Sequence, residues 1–152
     1  MSFGNVAIVG ATGAVGAQFL KVLERGSLQV DSLSLYATAR SAGRVLSYGN
    51  QSLVVQETTV AALKRADLVF ISASSEVSRE LAPIVSEAGT IVIDDSSAFR
   101  MNDEVPLVVP EINADDLDDH HGIVSTPNCT SVPLVMALHP LNKVNPIRRI
   151  VA

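Results

Sequence analysis

Cys129 is the one cysteine in a chain of 152 residues, and Ser125-Thr126-Pro127-Asn128-Cys129-Thr130-Ser131-Val132-Pro133 sets it just before a helical stretch. Helix entrances offer unpaired N–H groups and a partial positive charge, which favour a thiolate nucleophile without a metal. Pro133 lacks an N–H that a helix beginning at Cys129 would need, so the regular helix is predicted to start at Thr130 or Ser131 and to continue through Leu138. From these residues alone the thiol is either a nucleophile or a small buried hydrophobe. The histidines supply no obvious base. His139 lies about 15 Å further along the same helix, and His120 and His121 sit in an acidic turn.

A second kind of chemistry is written near the N-terminus, in Gly10-Ala11-Thr12-Gly13-Ala14-Val15-Gly16. Glycines allow a tight turn and close approach of backbone to a pyrophosphate, and the helix that follows directs free N–H groups at the anion. The alternative is a loop in which glycine merely permits dense helix–sheet packing. No acidic residue lies between Asp31 and Glu57 to bind a ribose diol, and the segment after the second strand reads Ala37-Thr38-Ala39-Arg40-Ser41-Ala42-Gly43-Arg44. A guanidinium beside hydroxyls suits a 2′-phosphate, which favours NADP over NAD. Arg40 and Arg44 could equally be ordinary surface charges. Ser74, in the hydroxyl-rich loop Ser72 to Arg79, lines a cleft, caps a helix, or does both. Arg100 either binds an anion or neutralises Asp94, Asp95 or Asp103.

These residues need elements to place them. Asn5–Val9, Leu33–Tyr36, Leu53–Gln56, Leu68–Ser72, Thr90–Asp94 and Ile123–Ser125 are short apolar runs of the kind covered on both faces of a parallel sheet. Between them, Ala14–Arg25 places Val15, Phe19, Leu20, Val22 and Leu23 on one broad helical face, with Gly26 as its stop. A helix over about Glu76–Ala88 is predicted to kink at Pro83 or to start nearer Ser78, with Gly89 closing it. Strand–helix alternation with short connections gives an α/β fold, a doubly wound, mostly parallel, Rossmann-like sheet with its ligand at the carboxyl ends of the strands. Asp115-Asp116-Leu117-Asp118-Asp119-His120-His121 reads as a solvated turn rather than a metal site, because consecutive ligands diverge around the backbone. Arg148 to Ala152 reads as the opening of a further strand.

Composition narrows the function classes. Hydrophobic residues make up 47% and charged residues 18%, enough apolar content for a sizeable core. Sixteen acidic against eleven basic side chains leave a net charge of −5, the wrong sign for a general phosphate-backbone binder, so no nucleic-acid partner is expected. No apolar run reaches the length of a membrane span or a signal core, and a lone cysteine fits a reducing compartment, so a cytoplasmic location is expected.

The glycine loop, Ala39-Arg40-Ser41-Ala42-Gly43, Ser96-Ser97-Ala98-Phe99-Arg100-Met101, Val105-Pro106-Leu107-Val108-Val109-Pro110-Glu111-Ile112-Asn113 and Pro127-Asn128-Cys129 together resemble the aspartate-semialdehyde dehydrogenase family over essentially the whole chain. The resemblance covers only the N-terminal part of such an enzyme. It implies a single NADP-binding domain over residues 1–152 that includes the nucleophile segment, with a second substrate and dimerisation domain beyond it. It also implies NADP-dependent interconversion of aspartyl 4-phosphate and aspartate 4-semialdehyde, in lysine, methionine and threonine biosynthesis. Cys129 would be the nucleophile with Asn128 beside it, and Arg100 would hold phosphate. Gly10, Thr12, Gly13, Ala14, Val15 and Gly16 would lie against the pyrophosphate, and Thr38, Arg40, Ser41 and Ser74 would complete the cofactor site. The full-length protein would be a homo-oligomer acting on a small molecule and phosphate. This chain alone is expected to be inactive and to self-associate through apolar surface. A related acyl-phosphate or acyl-thioester reductase, or an NADP-binding paralogue without turnover, would use the same cleft. The chain departs from the family pattern at Asp95, where asparagine is frequent, and at Ser74-Ser75, where paired glycines are usual.

Overall fold

A computed structural model describes residues 2–26 and 28–151. In chain order the elements are β1 (Ser2–Val9), α1 (Ala14–Arg25), β2 (Gln29–Ala37), β3 (Val45–Tyr48), β4 (Gln51–Val54), β5 (Gln56–Glu57), α2 (Val60–Leu63), β6 (Leu68–Ile71), α3 (Ser75–Ser86), β7 (Ile91–Asp94), α4 (Pro110–Asn113), β8 (Ile123–Ser125) and α5 (Ser131–Val144). Six strands form a parallel sheet in the order β5-β2-β1-β6-β7-β8. That is a doubly wound, Rossmann-like sheet, with β1 flanked by β2 on one side and β6 on the other.

The strands read as continuous apolar runs because both faces are covered. Ala7, Val9, Val69 and Ile71 point to one side, where they pack with Leu81, Ala82 and Val85 of α3. Their neighbours Ile8 and Phe70, with Leu35, point to the other side and pack with Leu20 and Leu23 of α1. Phe19 stacks on Phe70 with ring centroids 4.0 Å apart. Period-two alternation thus feeds two cores, one on each face.

Several expectations need correction. The run Leu53–Gln56 is not one strand of the main sheet. Its first part belongs to β4, which pairs antiparallel with β3, and β5 is a separate two-residue edge that pairs with β2. Between them Val55 donates its N–H to Arg44 O and accepts from Gly43 N. Gly49, at φ +56°, lets the chain reverse in the two-residue turn of this hairpin.

On α1 the buried stripe is Gly16, Leu20 and Leu23, while Val15 and Val22 are exposed. At 100° per residue both valines lie about 105–130° from the centre of that stripe. The helix α3 starts at Ser75, ahead of Ser78, and continues through Pro83 to Ser86. Burial of Leu81 and Val85 supplies roughly 1.5–3 kcal/mol each, which offsets the roughly 3 kcal/mol cost of an interior proline. Residues 146–151 form no strand. Ile150 and Val151 are exposed, and Ala152 lies outside the described residues. Asp115 to Asp119 fall in a short 3-10 helix, Ala114–Asp119, with exposed side chains. Among the described residues no helix is long and apolar enough to cross a membrane.

Candidate functional site

At the end of β1, Gly10 takes φ +82° and its N–H donates to Tyr36 O. A Cβ there would collide with the carbonyl of Ser72, so β1 and the loop after β6 approach closely only because residue 10 is glycine. Gly16 has the same function one turn later, its missing Cβ leaving room for Gly10 O and the Ala11 backbone. The N-cap of α1 is Gly13, which offers no side-chain cap, and the first turn carries no acidic residue. The opening N–H groups of α1 therefore face outward without a protein side chain to receive them.

These features border a cleft of about 640 Å³ between the carboxyl ends of β1, β2, β5 and β6. This is the switch point of the sheet, where ligands of doubly wound folds bind. Gly10, Thr12, Gly13, Thr38, Arg40, Ser41 and Ser74 line it. Ala14, Val15 and Gly16 stand behind it in the first turn of α1. Ser74 fulfils both of its readings: it lines the cleft, and its hydroxyl accepts from Val77 N at 3.4 Å as the N-cap of α3.

Glu57, Thr58 and Glu80 also line the cleft and were not foreseen. The misplaced third strand hid the first two. Once β5 is seen to end at Glu57, the residues after it fall at the ligand end of the sheet like those after β2. The Thr58 hydroxyl donates to Ala37 O and ties these two strand ends together.

The thiol lies at the same end of the sheet but across it, in the loop after β8. Cys129 is exposed in this chain. It precedes Thr130, the N-cap of α5, so Pro133 falls at the third helical position, where no intrahelical N–H is required. Asn128 organises this entrance. Its Oδ1 accepts from Thr130 N at 2.9 Å and from the Thr130 hydroxyl at 2.7 Å, with Cys129 Sγ 3.8 Å away. His139 lies further along α5, its Nε2 buried without a hydrogen-bond partner, and His120 Nδ1 accepts from Gly122 N.

Arg100 bonds to main chain instead of to a carboxylate. Its Nε donates to Thr126 O and its Nη2 to Asp95 O, each at 2.9 Å. A guanidinium has five N–H donors, so these two bonds fix its plane and leave the Nη1 side available. The Asp95 carboxylate accepts from the hydroxyls of Ser72 (3.2 Å) and Thr126 (3.0 Å). Asp94 is fully buried and bonded to Ser96 N and Oγ. Neither Cys129 nor Arg100 lines the cleft itself.

Comparison with known proteins gives this arrangement its relatives. Residues 5–120 match the family described as semialdehyde dehydrogenase, NAD binding domain. The chain is 44% identical over 147 residues to aspartate-semialdehyde dehydrogenase of Bacillus subtilis (strain 168), a match that takes in 97% of this chain and 42% of that protein. The crystal structure of aspartate semialdehyde dehydrogenase II from Vibrio cholerae, complexed with ASA, superimposes with a TM-score of 0.92 at 38% identity, over 98% of this chain and 49% of that one. The Candida albicans aspartate semialdehyde dehydrogenase with NADP gives a TM-score of 0.76 at 26% identity, over 94% of this chain and 48% of that one. The chain spans less than half the length of the curated relatives it matches. From its first strand to its acidic turn, it belongs to the semialdehyde dehydrogenase family.

Proposed function

We propose that the protein of which this chain forms the cofactor-binding part is an NADP-dependent aspartate-semialdehyde dehydrogenase. In the direction of reduction it would convert aspartyl 4-phosphate to aspartate 4-semialdehyde and phosphate. The observation that carries this reading is the exposed thiol of Cys129 at the entrance of α5, at the same end of the sheet as the nucleotide cleft.

The residues fit a dinucleotide. The glycine turn leaves the N-terminus of α1 bare toward an anion, the chemistry that pyrophosphate binding requires. Arg40 and Ser41 line the cleft near the end of β2 and would receive the 2′-phosphate. When bound, the reduced nicotinamide supplies hydride to the acyl carbon.

This chain's own groups would supply the nucleophile and the phosphate contact. Cys129 attacks the acyl carbon as thiolate, forming a C–S bond as the C–O bond to phosphate breaks. Asn128 holds the loop that presents the sulfur, through its bonds to Thr130. Arg100, its plane fixed by Asp95 O and Thr126 O, offers its remaining donors to the departing phosphate. Once the acyl group is reduced, the C–S bond breaks, the aldehyde leaves and the sulfur returns to thiolate.

The test has two stages. Titration of this chain with NADP and NAD should give saturable binding with NADP preferred; no binding of either would end the cofactor assignment. The full-length gene product should then reduce an acyl phosphate with consumption of NADPH, and failure with every acyl phosphate offered would leave a nucleotide-binding protein without turnover.

A further inference from the structure

Asp95 stands where three strand ends meet. Its N–H donates to Ile71 O at the end of β6, its carbonyl accepts from Arg100 Nη2, and the two oxygens of its carboxylate take hydroxyls from opposite directions. One comes from Ser72, which lines the nucleotide cleft. The other comes from Thr126, whose own carbonyl holds Arg100 Nε and whose N–H donates to Asp94 O. Thr126 is followed by Pro127, Asn128 and Cys129. The hydroxyls of Ser75, the first residue of α3, and Ser97, two residues past Asp95, lie 2.9 Å apart and add a second tie between the segments that follow β6 and β7.

We propose that Asp95 is a positioning residue: its carboxylate clamps the cleft-lining loop after β6 to the strand end that leads into Cys129, so that cleft, Arg100 and thiol are held as one unit. Asp95 touches neither the cleft nor the sulfur and acts through Ser72, Thr126 and Arg100. Both of its side-chain bonds come from hydroxyls, which can donate or accept. An asparagine at this position keeps both bonds, one through its carbonyl oxygen and one through its amide N–H, with the Thr126 or Ser72 hydroxyl rotated to match. The clamp therefore depends on two-ended hydrogen bonding and not on negative charge.

Amide hydrogen exchange of this chain, followed by NMR, tests the clamp directly. Asp95→Ala should raise exchange at Thr126, Thr130 and Ser131 by about tenfold or more while Val6 to Val9 of β1 stay unchanged, and Asp95→Asn should remain within about threefold of the parent chain. Parent-like exchange at those three amides in Asp95→Ala overturns the proposal. So does an Asp95→Asn variant that exchanges as fast as Asp95→Ala. Should Asp95→Ala fail to fold, Thr126→Val removes one arm alone; it should raise exchange at Thr130 and Ser131 by about threefold, and no rise overturns the clamp.

The catalytic consequence rests on the proposed function and is read separately. In the full-length gene product, Asp95→Ala should lower kcat about tenfold with KM for NADPH within about twofold, and Asp95→Asn should restore kcat. An inert parent enzyme would overturn the catalytic reading, and the exchange result would still decide the clamp.

Discussion

Helices α1 and α5 each follow a strand of the same sheet and each begins at a proposed site, yet α1 buries Gly16, Leu20 and Leu23 while α5 buries none of its residues. Leu134, Val135, Met136, Leu141 and Val144 of α5 are all exposed. The cleft is made largely of backbone geometry, from a left-handed glycine, close strand approach and a bare helix N-terminus, all held by two packed cores. The thiol segment is made of side chains on a loosely covered helix, fixed by Asn128, Thr126 and Arg100. The difference teaches that the proposed cofactor cleft sits on the part of this chain with its own core, and the proposed nucleophile on a part held mainly through hydrogen bonds.

The largest expected effect separates the two regions by function. In the full-length gene product, Cys129→Ala should lower kcat by roughly 10³-fold or more, on the order of 4 kcal/mol in activation free energy. NADP affinity should stay within about twofold, because the cleft does not include residue 129. Steady-state kinetics beside a nucleotide titration check this; retained turnover would remove the thiol from the chemistry.

The next effect separates the regions by packing, with the same substitution in both helices. Leu20 is 5% exposed and Leu141 60% exposed. Leu20→Ala should cost about 2–5 kcal/mol of unfolding free energy through lost burial and a residual cavity, whereas Leu141→Ala should stay within about 0.5 kcal/mol. Urea denaturation of both variants measures it. Equal losses would mean that α5 is as well packed as α1, and the contrast between the two regions would fail.

The cleft half was more legible in sequence than the thiol half, for a physical reason. Asn5–Val9 followed by the glycine turn and an amphipathic helix carries local signals that agree with one another, so strand, turn and helix were each placed within a few residues. The edge of the sheet was not, because β5 has two residues and exposed side chains, too short and too wet to leave an apolar run. The Gly49-Asn50 turn between the alternating runs Val45–Tyr48 and Gln51–Val54 was a readable hairpin signal that the apolar count over Leu53–Gln56 overrode. Around Cys129 the helix start was readable from Pro133, and exposure of the sulfur was not, since it depends on what packs over α5. The bonds of Arg100 to two carbonyls and of Asp95 to two hydroxyls join residues 5 to 31 positions apart, which no local pattern encodes.

A smaller effect sharpens the cofactor side alone. Arg40 lines the cleft with Ser41, but Glu57 lines it too, so a 2′-phosphate would meet a guanidinium in the presence of a carboxylate. Arg40→Glu should weaken NADP by about ten- to hundredfold, the loss expected of one charge-assisted contact of about 1.5–3 kcal/mol, and should change NAD affinity much less. An unaltered NADP-to-NAD ratio would refute the placement of the 2′-phosphate at Arg40.

The smallest effect lies at Ser74, whose hydroxyl caps a helix at the edge of the cleft. Its hydroxyl caps α3 through a bond of 3.4 Å to Val77 N, long for a cap, so Ser74→Ala should cost about 0.5–1 kcal/mol, the low end for N-cap loss. The helix should hold because Ser78, Leu81, Ala82 and Val85 remain buried against the sheet. Nucleotide affinity should fall by no more than about threefold, since a neutral hydroxyl already engaged in capping a helix is expected at the low end of the hydrogen-bond range, about 0.5 kcal/mol. Thermal denaturation and NADP titration of the same variant weigh the two roles against each other. A tenfold loss of affinity with stability unchanged would make Ser74 chiefly a ligand contact and move part of the cleft's recognition from backbone to side chain.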